Sequence, residues 1–191
     1  RLPFWHGEGS GRDYGFSRTI ARFTREIAAG LDMRRTEGRS AVEGSAVPTF
    51  IPTILTRLHH DGLDAHAITN LARLLSEQQA ATGTVPSDQT LVVERTRDED
   101  GGWRIVLLSP FGRRVHEPWS MAISRRLRQR YGFDGQVYAA DDGIVIQLPD
   151  GDGHIPAQDL FLFDPEDLKA DVERQVGESV LFAARFRECA A

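Results

Sequence analysis

Val137-Tyr-Ala-Ala-Asp-Asp-Gly-Ile-Val-Ile-Gln-Leu148 reads as two short strands folded back on each other, and it decides the fold class. Val137–Ala139 pairs with Ile144–Leu148 across Asp142-Gly143, a dipeptide suited to the backbone twist of a hairpin turn. A second hairpin lies upstream. Leu91–Arg95 is rich in β-formers, Trp103, Ile105 and Leu107 alternate, and Asp98–Gly102 is the turn between them. Between the hairpins, Pro110-Phe-Gly112 turns the chain towards a helix over Pro118–Tyr131. Pro118 suits the first helical position. Trp119, Ile123, Leu127 and Tyr131 form the inward stripe of that helix.

On the C-terminal side, Asp150–Gly153 reads as loop and Leu160–Phe163 as a short buried strand. Asp164-Pro165 opens a helix to Val176, and a last helix after Gly177 carries Phe182, Phe186 and Cys189 on one stripe. On the N-terminal side, Arg1–Gly11 is loop-like. Phe16, Ile20, Phe23, Ile27 and Leu31 mark an amphipathic helix ended by Gly30 and Asp32. Met33–Val47 is polar and predicts a mobile loop. A helical hairpin follows: Ile51, Ile54, Leu55 and Leu58 in the first helix, ended by Gly62, then Ile68, Leu71, Leu74 and Leu75 in the second, capped by Asp64. The pattern predicts an α+β fold over 1–191 as a single domain. Its mainly antiparallel sheet comes from two β-hairpins plus a short strand, packed with about six helices.

Composition narrows the function. With 40% hydrophobic residues in 191, the chain can bury a core. No run approaches the roughly 18 apolar residues of a membrane span. The lone Cys189 excludes an internal disulfide and a multi-cysteine zinc site, and fits a reducing, cytoplasmic setting. The net charge of −5 argues against a uniformly basic nucleic-acid binder. It hides an asymmetry, however. Phe111–Tyr131 holds six arginines (113, 114, 125, 126, 128, 130) against Glu117, whereas Gly132–Gln175 holds eleven acids against Lys169 and Arg174. Arginine forks suit phosphate, although a high-GC genome also favours arginine codons. A start at Arg1 and an end within a helical pattern read as cuts in a longer polypeptide.

Catalytic templates fail in turn. The one lysine, Lys169, follows Leu168, so no phosphate loop of the Gly-Lys-Ser/Thr kind exists. Gly7-Glu-Gly9-Ser-Gly11 lacks the third glycine at the right offset and the preceding strand of a dinucleotide site. His59, His60 and His66 do not form a His-Glu-x-x-His motif. Asp150-x-Asp152 lacks the glutamate of a calcium loop, because its twelfth position is Phe161. Asp141 and Asp142 are explained by turn chemistry. No Gly-x-Ser-x-Gly elbow is present.

Two segments keep a binding reading. Ser109-Pro-Phe-Gly-Arg-Arg-Val-His-Glu-Pro-Trp119 delivers two arginines and His116 to the start of a helix, where free N–H groups attract anions. The following helix adds Arg125, Arg126, Arg128 and Arg130. Equally, Val115 and Trp119 can be core and the arginines solvated. In Leu2-Pro-Phe-Trp-His-Gly-Glu8, Trp5 beside His6 can offer its ring to a nucleobase or cover an apolar edge. The residues alone leave both pairs of readings open.

Arg1-Leu-Pro-Phe-Trp-His-Gly-Glu8, Ser109-Pro-Phe-Gly-Arg-Arg-Val-His-Glu-Pro-Trp119, Asp141-Asp-Gly-Ile144 and Leu181-Phe-Ala-Ala-Arg-Phe-Arg-Glu-Cys189 together resemble, in order along the chain, the Lhr (large helicase-related) family. They are similar to its DEAD/H-associated domain, which follows two RecA-like motor domains and a winged helix. The resemblance implies an accessory domain that is no enzyme by itself. Its parent would be an ATP-dependent 3′-to-5′ DNA helicase linked to DNA repair and active on RNA–DNA hybrids, in the bacterial cytoplasm and at the nucleoid. ATP and Mg would bind upstream in the motor, with no cofactor or metal in this chain. The resemblance favours DNA contact at Trp5, Arg113, Arg114 and His116, with His6, Arg125 and Arg128 beside them. Single-stranded DNA or an RNA–DNA hybrid, the motor and the winged helix are the implied partners. A scaffolding module that packs on the motor without touching nucleic acid is the alternative.

Overall fold

The computed structural model describes residues 11–32, 48–97, 99, 101–132, 135–149, 156–178 and 180–190. The chain divides into two compact units, one of residues 1–17 with 93–191 and the other of residues 18–92. Helix α1 (Tyr14–Ala28) begins in the first and ends in the second.

In the second unit, β1 (Leu31–Asp32) and β2 (Thr49–Phe50) form a short antiparallel ribbon, followed by helices α2 (Pro52–His60) and α3 (Ala65–Thr82). The hairpin forms as its sequence predicts. Asp64 accepts the N–H of Ala67 at 2.7 Å, satisfying one of the orphan donors of α3, and Gly83 closes that helix in the left-handed conformation. Ile27, Phe50, Leu58, Ile68, Ala72 and Leu75 are its core. Leu31 belongs to β1 rather than to the helix. Phe16 is 57% exposed, and the small Ser17 and Ala21 are the buried residues of that part of α1. The expected Met33–Val47 loop lies outside the described residues.

The first unit is built on a four-stranded sheet in the order β3 (Val92–Arg97), β4 (Trp103–Leu108), β6 (Gly143–Leu148), β5 (Gln136–Ala140). The two hairpins therefore join through β4 and β6, whose antiparallel register sets Ile105 opposite Ile146 and Leu107 opposite Ile144. Ala140 pairs with Gly143, so the tight turn is Asp141-Asp142, one residue earlier than the sequence reading. Helix α4 (Arg113–Arg126) continues as a π turn over Leu127–Tyr131 and ends on left-handed Gly132. Ile123 and Leu127 pack with Ile105, Leu107, Ile144, Ile146 and Leu148, each fully buried aliphatic contributing roughly 1.5–3 kcal/mol.

Two further elements differ from expectation. Helix α4 starts five residues before Pro118, because Gly112 supplies a positive φ of 89° and the N–H of Arg113 finds a carboxylate. Pro118 lies inside the helix and removes one of its backbone bonds. Leu160–Phe163 is not a strand. Ala157–Phe161 forms the short helix α5, and Leu160 and Phe161 are buried from it. The carbonyls of Asp159 and Leu162 are taken by Arg126 instead of a neighbouring strand. Helices α6 (Pro165–Glu178) and α7 (Val180–Ala190) complete the unit, so seven helices occur among the described residues. Phe182 and Phe186 stack on each other at 6.1 Å and are exposed, and Cys189 is exposed with them.

Candidate nucleic-acid interface

The Ser109–Trp119 segment is tied to the Asp141-Asp142 turn and to Arg12. Asp141 Oδ1 accepts the backbone N–H of Arg113 at 2.9 Å and that of Arg12 at 2.9 Å. The guanidinium of Arg12 donates to the carbonyl of Asp141 at 2.7 Å and to the carboxylate of Asp142. Two backbone N–H donors, that of Arg113 first and then that of Arg12, hold the Asp141 carboxyl below its ordinary value, so it stays ionised. The expected anion position at the start of α4 is thus filled from within the chain. A phosphate there has to compete with Asp141.

His116 is corrected from a surface contact to a buried support. It is fully buried, with Nδ1 2.6 Å from the carbonyl of Ala140 and Nε2 2.8 Å from the hydroxyl of Ser109. A carbonyl can only accept, so Nδ1 carries the proton and donates, leaving the neutral Nε2 to accept from Ser109. Ser109 N in turn donates to the carbonyl of Asp142 at 3.0 Å. The imidazole holds the β4 end and the β5–β6 turn together, and no ring nitrogen is left for a ligand.

The arginines separate into two groups. Arg113, Arg114, Arg128 and Arg130 are exposed. Arg113 makes an i,i+4 pair with Glu117 at 2.7 Å. Arg125, expected beside the DNA contacts, is instead mostly covered, its guanidinium meeting Asp171 of α6 at 2.9 Å. Arg126 is buried, donates to the carbonyls of Asp159 and Leu162 at 2.8 and 2.5 Å, and lies 3.2 Å over the ring of Phe163. Trp119 is half-buried rather than buried, with its indole N–H on the carbonyl of Phe161 at 3.1 Å. Trp5 and His6 lie outside the described residues.

Sequence reading passed over Arg12, and it took Asp141 for turn chemistry alone. The only hint of either was Asp141-Asp-Gly-Ile144 in the family likeness. It also passed over Tyr14, half exposed and stacked on Phe111 at 6.0 Å beside Gly112. Among the described residues, no group of three or more His, Cys, Asp or Glu could hold a metal, and no helix is long and apolar enough to cross a membrane.

The family described as DEAD/H associated matches residues 85–191. The chain is similar to a Lhr helicase and probable uracil glycosylase of Mycolicibacterium smegmatis, 46% identical over all 191 residues. It is 45% identical over the same length to a Lhr helicase and uracil glycosylase of Escherichia coli. It spans 11% of the length of each of these relatives. The solved structure of Mycobacterium smegmatis helicase Lhr bound to ssDNA and AMP-PNP is similar with a TM-score of 0.76 at 45% identity, covering 100% of this chain and 22% of that one. The likeness read from four sequence segments therefore extends over the whole chain.

Proposed function

Because the chain belongs to the DEAD/H-associated family, we propose that it is an accessory nucleic-acid-binding segment of an Lhr-type helicase, in which both units serve one region beside the motor. One observation carries this reading: the likeness to the Lhr helicase bound to ssDNA runs over the full chain at 45% identity. The segment helps to form the channel for the tracking strand. The parent is an ATP-dependent 3′-to-5′ DNA helicase acting in DNA repair in the bacterial cytoplasm, on single-stranded DNA or an RNA–DNA hybrid. ATP and Mg are held by motor domains elsewhere in the polypeptide, next to a winged helix. The segment itself catalyses nothing. The AMP-PNP of the solved relative supports a nucleotide-driven parent. Glycosylase activity, named for the longer relatives, is not assigned to this chain, whose sequence offered no catalytic constellation.

Arg113, Arg114 and Arg128 are the exposed arginines that suit a phosphate backbone. Trp5, with His6 beside it, is the residue proposed to stack on a base. The test is the binding of single-stranded DNA to the chain over a range of salt. Affinity that falls steeply with salt supports the reading, and no binding at low salt refutes it. In the full-length parent, Trp5→Ala is expected to uncouple unwinding from ATP hydrolysis without lowering the melting temperature.

A second reading has its own observation. The exposed Phe182–Phe186 pair on α7 is the kind of surface that packs on another protein domain. A chain that binds no nucleic acid but associates with the separated motor would establish scaffolding instead.

A further inference from the structure

The register of β4, β6 and β5 sorts their side chains onto two faces. One face is the core beneath α4. The other carries three cross-strand rows: Arg104–Gln147–Gln136, Val106–Val145–Tyr138 and Leu108–Gly143–Ala140. Arg104, Gln136, Tyr138 and Ala140 are exposed, and Val106, Leu108, Val145 and Gln147 are half-buried. None of the nine residues is acidic, in a chain with 28 Asp and Glu and a net charge of −5. Among the described residues, acids occur only at the margins of this face. Arg95 and Arg97 lie over the ring of Trp103 at 4.0 and 4.3 Å, which puts the alternate residues Glu94 and Thr96 of edge strand β3 on this second face. At the hairpin tip, Asp141 and Asp142 are engaged by Arg12.

Tyr138 is 53% exposed, and its hydroxyl donates to Gln136 Oε1 at 2.5 Å. That bond ties the hydroxyl end of the ring to Gln136 on the same strand. Arg104 stands two strands across and two residues along, roughly 12 Å away. An exposed ring, with a cation and side-chain amides in the neighbouring row of an antiparallel sheet, supplies the parts from which sheets hold unpaired nucleotides. The ring stacks on a base, the guanidinium meets a phosphate, and the amides meet base edges.

We infer that the β5–β6–β4 face is a binding surface for single-stranded nucleic acid, with Tyr138 stacking on a base and Arg104 contacting the backbone. This deepens the nucleic-acid reading given above and rests on it. The occupant is a single strand rather than a duplex, because paired bases offer no open face to Tyr138.

The experiment is a fluorescence titration of the 191-residue chain with labelled oligothymidine and with a duplex of equal length. Tyr138→Ala is expected to weaken oligothymidine binding at least about tenfold, while Tyr138→Phe retains it. Arg104→Ala is expected to weaken binding and flatten its salt dependence. Photo-crosslinking to a bromodeoxyuridine oligonucleotide, mapped by mass spectrometry, is expected to label the peptide that holds Tyr138, and does not require any variant to fold. Wild-type binding that both alanine variants retain, with crosslinks elsewhere, overturns this surface and leaves the nucleic-acid reading standing. Absence of binding by the wild type overturns both. Preference for the duplex overturns the single-strand assignment.

Discussion

Asp141 Oδ1 lies 2.9 Å from the backbone nitrogen of Arg113, at the start of α4, where the helix would otherwise offer its first N–H to an anion. The same oxygen bonds Arg12 N. One carboxylate thus caps a helix and fixes the chain entering α1. Replacing a capping carboxylate with Ala costs about 1–2 kcal/mol. Asp141→Ala is expected to lower the urea midpoint accordingly, and Asp141→Asn, which keeps an acceptor oxygen, to lower it less. An unchanged midpoint in both would show that the contact adds nothing to stability.

His116 makes stability depend on pH. Burial, the largest influence, pulls its pKa below the ordinary 6.5. The bond to Ala140 and the charges of Asp141 and Asp142 act upward, and Arg12 acts downward. The folded-state pKa is thus below the unfolded one, so as pH falls the unfolded chain takes the proton first. The stability contributed by the neutral imidazole is complete above 6.5 and is lost as pH falls below it towards the depressed folded-state value. Urea unfolding at about pH 8 and about pH 5.5 should show the loss. In His116→Gln the dependence over that interval is expected to flatten, with lower stability at the higher pH. A variant that keeps the wild-type slope would assign the loss to other groups.

How much of this was legible in the sequence follows from the range of the interactions. Both β-hairpins and the α2–α3 hairpin were readable because turn chemistry and periodicity are local: Asp64 caps Ala67 three residues away. The start of α4 was not, since its cap, Asp141, is 28 residues distant and no local pattern announces it. His116 read as a contact because its partners Ser109 and Ala140 meet only in the folded sheet. Leu160 and Phe161 were correctly read as buried but wrongly as strand. A short apolar run does not reveal its period, and the donor that ends α5 is Arg126, on another helix.

Gly112 and Ser17 are a matched pair. At Gly112, φ is 89°, and a Cβ would stand 2.8 Å from Ser17 Oγ and 3.0 Å from the carbonyl oxygen of Arg12. Gly112→Ala is expected to cost about 2 kcal/mol. Ser17 Oγ is buried without a hydrogen-bond partner, so Ser17→Ala is expected to be neutral or to stabilise by up to about 1 kcal/mol. Adding Ser17→Ala to Gly112→Ala should recover little, because the backbone strain and the Arg12 carbonyl remain. Thermal melts of the three variants test this, and full recovery in the double variant would mean that the hydroxyl was the only obstacle.

The division among the arginines gives the remaining prediction. Arg113, Arg114 and Arg128 are exposed, and a surface pair such as Arg113 with Glu117 is worth less than about 1 kcal/mol. Alanine at these positions should leave the melting temperature almost unchanged. For each one that contacts a phosphate, the slope of log affinity against log salt should fall by roughly 0.7 on a single strand. Arg126 behaves in the opposite way. Its removal leaves the carbonyls of Asp159 and Leu162 without a buried donor and uncovers Phe163, at a cost on the order of 2–3 kcal/mol. Arg125→Ala strands Asp171, which is mostly covered, and should also destabilise. Melting curves and salt titrations of the five single variants separate the groups. If Arg113→Ala or Arg114→Ala lowers the melting temperature and leaves the salt slope intact, the start of α4 is a structural joint and the strand runs elsewhere.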